Sequence, residues 1–186
     1  MTNLVGQHLG NHRVVRLLGR SAFSEVYLTE YSFDCKQSVL KVLRVELSEA
    51  DQENFLLASR AIIDLVHPHI IRVAEASIVQ MEKSFPSLFM EYAPNGTLRQ
   101  RHPIGSQLPL TTVLPYIRQI AEALHYAHLQ NFIHGDVRPE NIMLGSNNQI
   151  LLGDFSFALI SSIKKIETST TAVSYTHLRA HETGRN

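Results

Sequence analysis

From His12 to Leu28 apolar and polar positions alternate about a polar break, with Val14-Val15-Arg16-Leu17-Leu18 on one side and Val26-Tyr27-Leu28 on the other. A period near two interrupted by Gly19-Arg20-Ser21-Ala22-Phe23-Ser24 predicts a β-hairpin. Ser38-Val39-Leu40-Lys41-Val42-Leu43 continues as a strand in which Lys41 is flanked by apolar residues, so it is expected to be partly buried and to need an anionic partner. The period then changes. Phe55, Ala58, Ile62 and Leu65 share one face of a helix, and Ser48 with Asp51 forms a capping-box-like start. His67-Pro68-His69-Ile70-Ile71 ends that helix and is expected to begin another strand. Ser87 to Tyr92 reads as a strand that closes on the turn residues Pro94-Asn95-Gly96. A second helix runs to Gln130 with an apolar stripe of Val113, Ile117, Ile120, Ala121, Leu124 and Ala127. Pro115 is tolerated in a first turn, which puts the helix start near Thr112 or Leu114. Ile142-Met143-Leu144 and Ile150-Leu151-Leu152 are short strands about the turn Gly145-Ser146-Asn147-Asn148.

Composition narrows the function classes. Basic and acidic residues balance at 17 each in 186 residues, which gives no electrostatic footprint for nucleic acid or a membrane surface. The one cysteine, Cys35, cannot form an intramolecular disulfide and fits a reducing cytosol. The first residues, Met1 to Gln7, lack the basic and apolar regions of a signal peptide, and no apolar run is long enough to cross a bilayer. A soluble, cytoplasmic chain is expected. The pairs His67/His69 and His125/His128 have no Cys or Asp to complete a metal site and read as turn and packing or surface residues.

The candidate chemistry lies in Ile133-His134-Gly135-Asp136-Val137-Arg138-Pro139-Glu140-Asn141 and in Gly153-Asp154-Phe155-Ser156. The two stretches resemble the catalytic and metal-binding loops of protein kinases, written H-R-D-x-x-x-x-N and D-F-G. Upstream, Gly19 to Val26 is similar to the family's Gly-rich phosphate loop, and Val39-Leu40-Lys41 to its V-A-I-K strand. The resemblance, to bacterial eukaryotic-like Ser/Thr kinases, runs from about Leu9 to Ala172. It implies an α+β, bilobal kinase-like fold: a β-rich lobe with one helix over residues 10–92, and a hinge with an incomplete helical lobe over 93–172, after a lead-in of residues 1–9. It also implies ATP and Mg²⁺ as cofactors and protein Ser or Thr as acceptor. Asp136 would orient the acceptor hydroxyl and take its proton, with Lys41 and Arg138 at the phosphates. Asn141 and Asp154 would hold the metal. Gly19, Val26, Val39, Lys41, Glu91, Ala93 and Met143 would bind the nucleotide, through backbone groups at Glu91 and Ala93 and with Met143 as floor.

Several positions depart from the family pattern. Ser21 and Ser24 stand in place of glycines, Gly135 in place of the Arg before the catalytic Asp, Arg138 in place of Lys, and Ser156 in place of Gly. Counting back from His67, the glutamate that pairs with the strand lysine is expected at position 58, which is Ala; Asp154 is then the expected partner of Lys41. With these supports eroded, a turnover of about 0.01–1 per second is expected of an intact parent protein, and weak or no activity of this incomplete chain by itself. The alternative reading is a pseudokinase, a nucleotide-binding or scaffold module without phosphotransfer. From Val173 the sequence resembles the conceptual translation of a sequencing-library adapter, so residues 173–186, with His177 and His181, are expected to lie outside the native fold.

Overall fold

The computed structural model describes residues 4–155 and Leu159. Its strands are β1 (His8–Leu9), β2 (His12–Arg20), β3 (Ser24–Tyr31), β4 (Gln37–Leu43), then, beyond helix α1 (Glu49–Ile63), β5 (Val73–Gln80) and β6 (Ser84–Glu91). These six form one antiparallel sheet in the order β1-β2-β3-β4-β6-β5. Helices α2 (Leu98–Arg101) and α3 (Leu110–Leu129) and the hairpin β7 (Ile142–Leu144)–β8 (Ile150–Leu152) make up the rest of the described fold.

Both faces of the sheet are covered at its centre, which explains the near-continuous apolar run of β4. Successive side chains point to opposite faces. Leu40 and Val42 join Leu4, Val14, Tyr27, Val79 and Phe89 in an outer cluster, while Val39 and Leu43 join the main core with Phe55, Ile62 and Leu65 of α1 and its C-terminal turn. Lys41 shares the inner face with Val39 and Leu43, so alternation alone aims it between the sheet and the helical part.

Helix α1 begins as its sequence predicts: Ser48 Oγ accepts the Asp51 N–H at 3.2 Å. Two expectations need correction. Ile70 and Ile71 do not open β5, which starts at Val73. The turn at Pro68 instead lays this segment beside β8, where Ile71 N–H donates to the Leu152 carbonyl at 2.9 Å and Leu152 N–H to the His69 carbonyl at 2.8 Å. These bonds join the two parts of the fold. Likewise α3 starts at Leu110, capped by Pro109, so Pro115 lies beyond the first turn. Its ring sits on the exposed side, where a missing N–H is tolerated. The buried stripe of α3 is rotated accordingly: Ala123 and Ala127 are buried and Tyr116, Ile120 and Leu124 half-buried, whereas Ile117 and Ala121 are exposed. His125 and His128 are exposed as well. The expectations for Ser156, for the end of the helical lobe up to residue 172 and for residues 173–186 fall outside the described residues.

Candidate active site

Three chain segments meet below the centre of the sheet. β4 brings Lys41, the loop after α3 brings Asp136, and the turn after β8 brings Asp154. Lys41 is buried, and its Nζ lies 2.5 Å from Asp154 Oδ1. The partner inferred from the sequence is thus in place, and position 58 on the inward side of α1 carries only a methyl group. Asp154 adopts φ +66°, a left-handed conformation unusual for a residue with a side chain. Behind the pair is a cavity of about 10 Å³, room for about one water, lined by Lys41, Ile62, Ile71, Met90, Asp154 and Phe155 among others.

The second half of the site is Asp136 with Asn141. Asn141 Nδ2 donates to Asp136 Oδ2 at 2.8 Å and to the Asp136 carbonyl at 2.9 Å. Both partners are acceptors, which fixes the amide orientation and leaves Asn141 Oδ1 outside these two bonds. The Asn141 carbonyl in turn accepts the Gly153 N–H at 2.9 Å, so the residue before Asp154 hangs from the residue that orients Asp136.

His134, quoted within the motif but given no role from sequence, joins the two loops. It is fully buried; its Nδ1 accepts the Asp136 N–H at 3.2 Å, so the proton sits on Nε2, which donates to the Gly153 carbonyl at 2.7 Å. Phe155 packs edge-on against its ring at 4.6 Å. Gly135, between His134 and Asp136, has φ +77°, a conformation that any side chain would strain.

Arg138 is placed differently from the compact cation its position suggests. Its Nε donates to Glu140 Oε2 at 3.0 Å, while Arg99 of α2 donates to Glu140 Oε1 at 2.9 Å. Hydrogen bonds from Arg138 and then Arg99 lower the Glu140 carboxyl to about 2, and Glu140 with nearby Asp136 raises the Arg138 guanidinium further. Glu140 and Arg99 were not singled out from sequence; Arg99 meets Glu140 only through tertiary structure.

The remaining candidates lie on β2, β3, β4, β6 and β7 and just after β6. Val39, Met90 and Ala93 are buried, and Val26 and Met143 pack against the same core from partly exposed positions. Gly19 pairs with Val26 across the hairpin, and Glu91 is held by its N–H to the Arg72 carbonyl at 2.9 Å. The histidines expected in the turn after α1 meet partners from α3 and β8: His67 stacks on Tyr126, and His69 Nδ1 lies 3.0 Å from the Ile150 carbonyl.

Residues 13–182 match the family model described as protein tyrosine and serine/threonine kinase. The chain belongs to the protein kinase family. Among its relatives in this family, it is 34% identical over 161 residues to the serine/threonine-protein kinase PknF of Mycobacterium tuberculosis, covering 82% of this chain and 33% of that one. It is 29% identical over 169 residues to the Aurora/IPL1-related protein kinase 2 of Caenorhabditis elegans, covering 90% and 54%. The crystal structure of the Mycobacterium tuberculosis PknI kinase domain superposes with a TM-score of 0.68 at 30% identity, covering 83% of this chain and 63% of that one. The chain therefore spans about a third to a half of these kinase relatives and under two thirds of the solved domain. The kinase-like fold, with its β-rich lobe, is the one its sequence resembles.

Proposed function

We infer that the protein of which this kinase-family chain forms part transfers the γ-phosphoryl group of Mg-ATP to Ser or Thr hydroxyls of protein substrates. The observation that carries this reading is the paired arrangement of Asp136 with Asn141 and Lys41 with Asp154, hung together through Gly153. The donor set fits the implied metal. Mg²⁺ takes hard oxygen ligands from one or two side chains and completes its shell with phosphates and water, and Asn141 Oδ1 with the Asp154 carboxylate supplies such a set. Among the described residues no three His, Cys, Asp or Glu side chains cluster as a self-sufficient metal cage. When bound, the ion would neutralise charge on the phosphates.

Each residue of the chain then has a definable task. Asp136, held by the Asn141 amide, accepts the proton of the acceptor hydroxyl as its oxygen turns nucleophilic. Lys41 supplies a buried positive charge at the phosphates, kept in position by Asp154. Arg138 keeps its two NH₂ groups, since Glu140 engages Nε; its charge can meet the phosphoryl oxygens, but as a broad planar fork. Val26, Val39 and Met143 offer apolar surface to the adenine ring, and the Glu91 carbonyl and Ala93 amide its hydrogen bonds. The assignment to Ser and Thr rests on Arg138 aligning with the Ser/Thr-type lysine and on the Ser/Thr kinases among the relatives. A cytoplasmic setting suits the exposed free thiol of Cys35, and among the described residues no helix is long and apolar enough to cross a membrane.

The test compares the intact parent protein with its Asp136→Asn variant, using radiolabelled ATP transfer and Mg-ATP titration. The substitution should lower transfer by roughly 10²–10⁴-fold and leave the dissociation constant for Mg-ATP within about twofold. Binding of Mg-ATP with no transfer by the unsubstituted parent protein would overturn the reading and leave a nucleotide-binding scaffold.

A further inference from the structure

The tip of the β2–β3 hairpin uses up the groups with which such a loop would hold phosphate. Ser21 Oγ accepts the Phe23 N–H at 3.2 Å and the Ser24 N–H at 3.0 Å. Ser21 N–H donates to the Ser24 carbonyl at 2.8 Å, and the two serine hydroxyls lie 3.1 Å apart. Of the four amides from Ser21 to Ser24, three are therefore spent inside the turn. The tip is fastened elsewhere too, since Arg44 N–H donates to the Phe23 carbonyl at 2.8 Å.

The strands behind the tip hold this shape. Arg20 Nε lies 2.8 Å from Glu25 Oε1, and Tyr27 Oη donates to Glu25 Oε2 at 2.6 Å. The Arg20 contact is an ion pair without hydrogen-bond alignment, and Oε1 has no donor among the described residues. The buried carboxylate thus ties β2 to β3 directly beneath the turn.

We propose that the Ser21 hydroxyl is an internal stand-in for a nucleotide phosphate: it occupies the backbone amides of Phe23 and Ser24 and must be displaced before they can turn to the nucleotide. This rests on the nucleotide-binding part of the function inferred above. A hydroxyl is a weaker acceptor than an ionised phosphate oxygen, so displacement is possible but lowers affinity. Ser21 is in this sense a self-inhibitory residue of the phosphate loop, acting on nucleotide affinity and not on proton transfer at Asp136.

The experiment measures Mg-ATP dissociation constants by calorimetry for the full chain, Ser21→Ala and Ser21→Thr, with amide hydrogen exchange at Phe23 and Ser24 without nucleotide. Ser21→Ala removes the hydroxyl and keeps Cβ; Ser21→Thr keeps both. The alanine variant should bind about three- to tenfold tighter, the scale of one net hydrogen bond, and the threonine variant should bind as the unsubstituted chain does. Exchange at Phe23 and Ser24 should be slow in the unsubstituted and threonine chains and fast in the alanine chain. Equal affinity of the alanine variant and the unsubstituted chain, including binding by neither, or fast exchange in the unsubstituted chain, would overturn the proposal. Tighter binding by the alanine variant would uphold it whether or not phosphotransfer is seen.

Discussion

Removing either charge of the Lys41–Asp154 pair should destabilise the fold, and the two losses should not add. At 2.5 Å, and with an effective dielectric constant of about 20, the direct attraction is about 7 kcal/mol. Desolvation takes back most of this, more so for Lys41, whose side chain is 9% exposed, than for Asp154 at 27%. The net coupling expected is about 1–3 kcal/mol. Lys41→Met leaves a carboxylate that can still reach water and should cost about 2–3 kcal/mol; Asp154→Asn leaves the more deeply buried ammonium and should cost about 3–4 kcal/mol. The double variant should fall short of their sum by the coupling energy. Urea unfolding followed by circular dichroism gives all four corners of the cycle, provided the m-values agree. Additivity within about 0.5 kcal/mol would refute the argument, as would a larger cost for Lys41→Met than for Asp154→Asn.

Two further outcomes follow from the catalytic loop. The Glu140 carboxyl, held near 2 by Arg138 and Arg99, contributes stability that is complete above its ordinary value of 4.5 and is lost as the pH falls towards about 2; NMR titration of its side-chain carbon should show a midpoint near 2, and a midpoint near 4.5 would mean that the two arginines do not hold it. Gly135→Arg, which restores the residue usual in the family, should cost about 1–2 kcal/mol because of the backbone at φ +77°; Gly135→Ala should show the same drop in melting temperature, and a neutral alanine variant would remove the backbone explanation.

Most of the strands and α1 were legible because each leaves a local mark, alternation or a cap; Lys41 in its apolar run called for an anionic partner, and the kinase resemblance, with no carboxylate at position 58, pointed to Asp154. β5 was not legible. Its sequence, Val73-Ala74-Glu75-Ala76-Ser77-Ile78-Val79-Gln80, has little alternation to show, and it is held by pairing along β6. The stripe of α3 was displaced because the sequence carries more apolar residues than the described fold covers; Leu114, Ile117 and Leu129 are exposed in spite of their type. At the site, Asp136 and Asn141 stood in one motif and Lys41 and Asp154 in two others, whereas the Arg99–Glu140 bond joins positions whose approach depends on α2 docking against the Pro139 carbonyl. The Ser21 turn was visible only as two missing glycines. Its hydroxyl geometry belongs to the folded hairpin.

The methyl group at position 58 has a mechanical consequence. Helix α1 reaches the site through apolar contacts such as Phe55 and Ile62, whose attraction is short-ranged and indifferent to orientation. A small slide or rotation of α1 would cost packing yet leave the lysine's charge where it is. The same displacement of the turn at Gly153 would strain the Lys41 contact, the His134 bond and the Asn141 tether together. Three restraints are thus gathered on one turn. A ligand that bears on Gly153 would load all three at once, whereas motion of α1 reaches the same place only through packing, at Ile62 beside Lys41, Asp154 and Phe155.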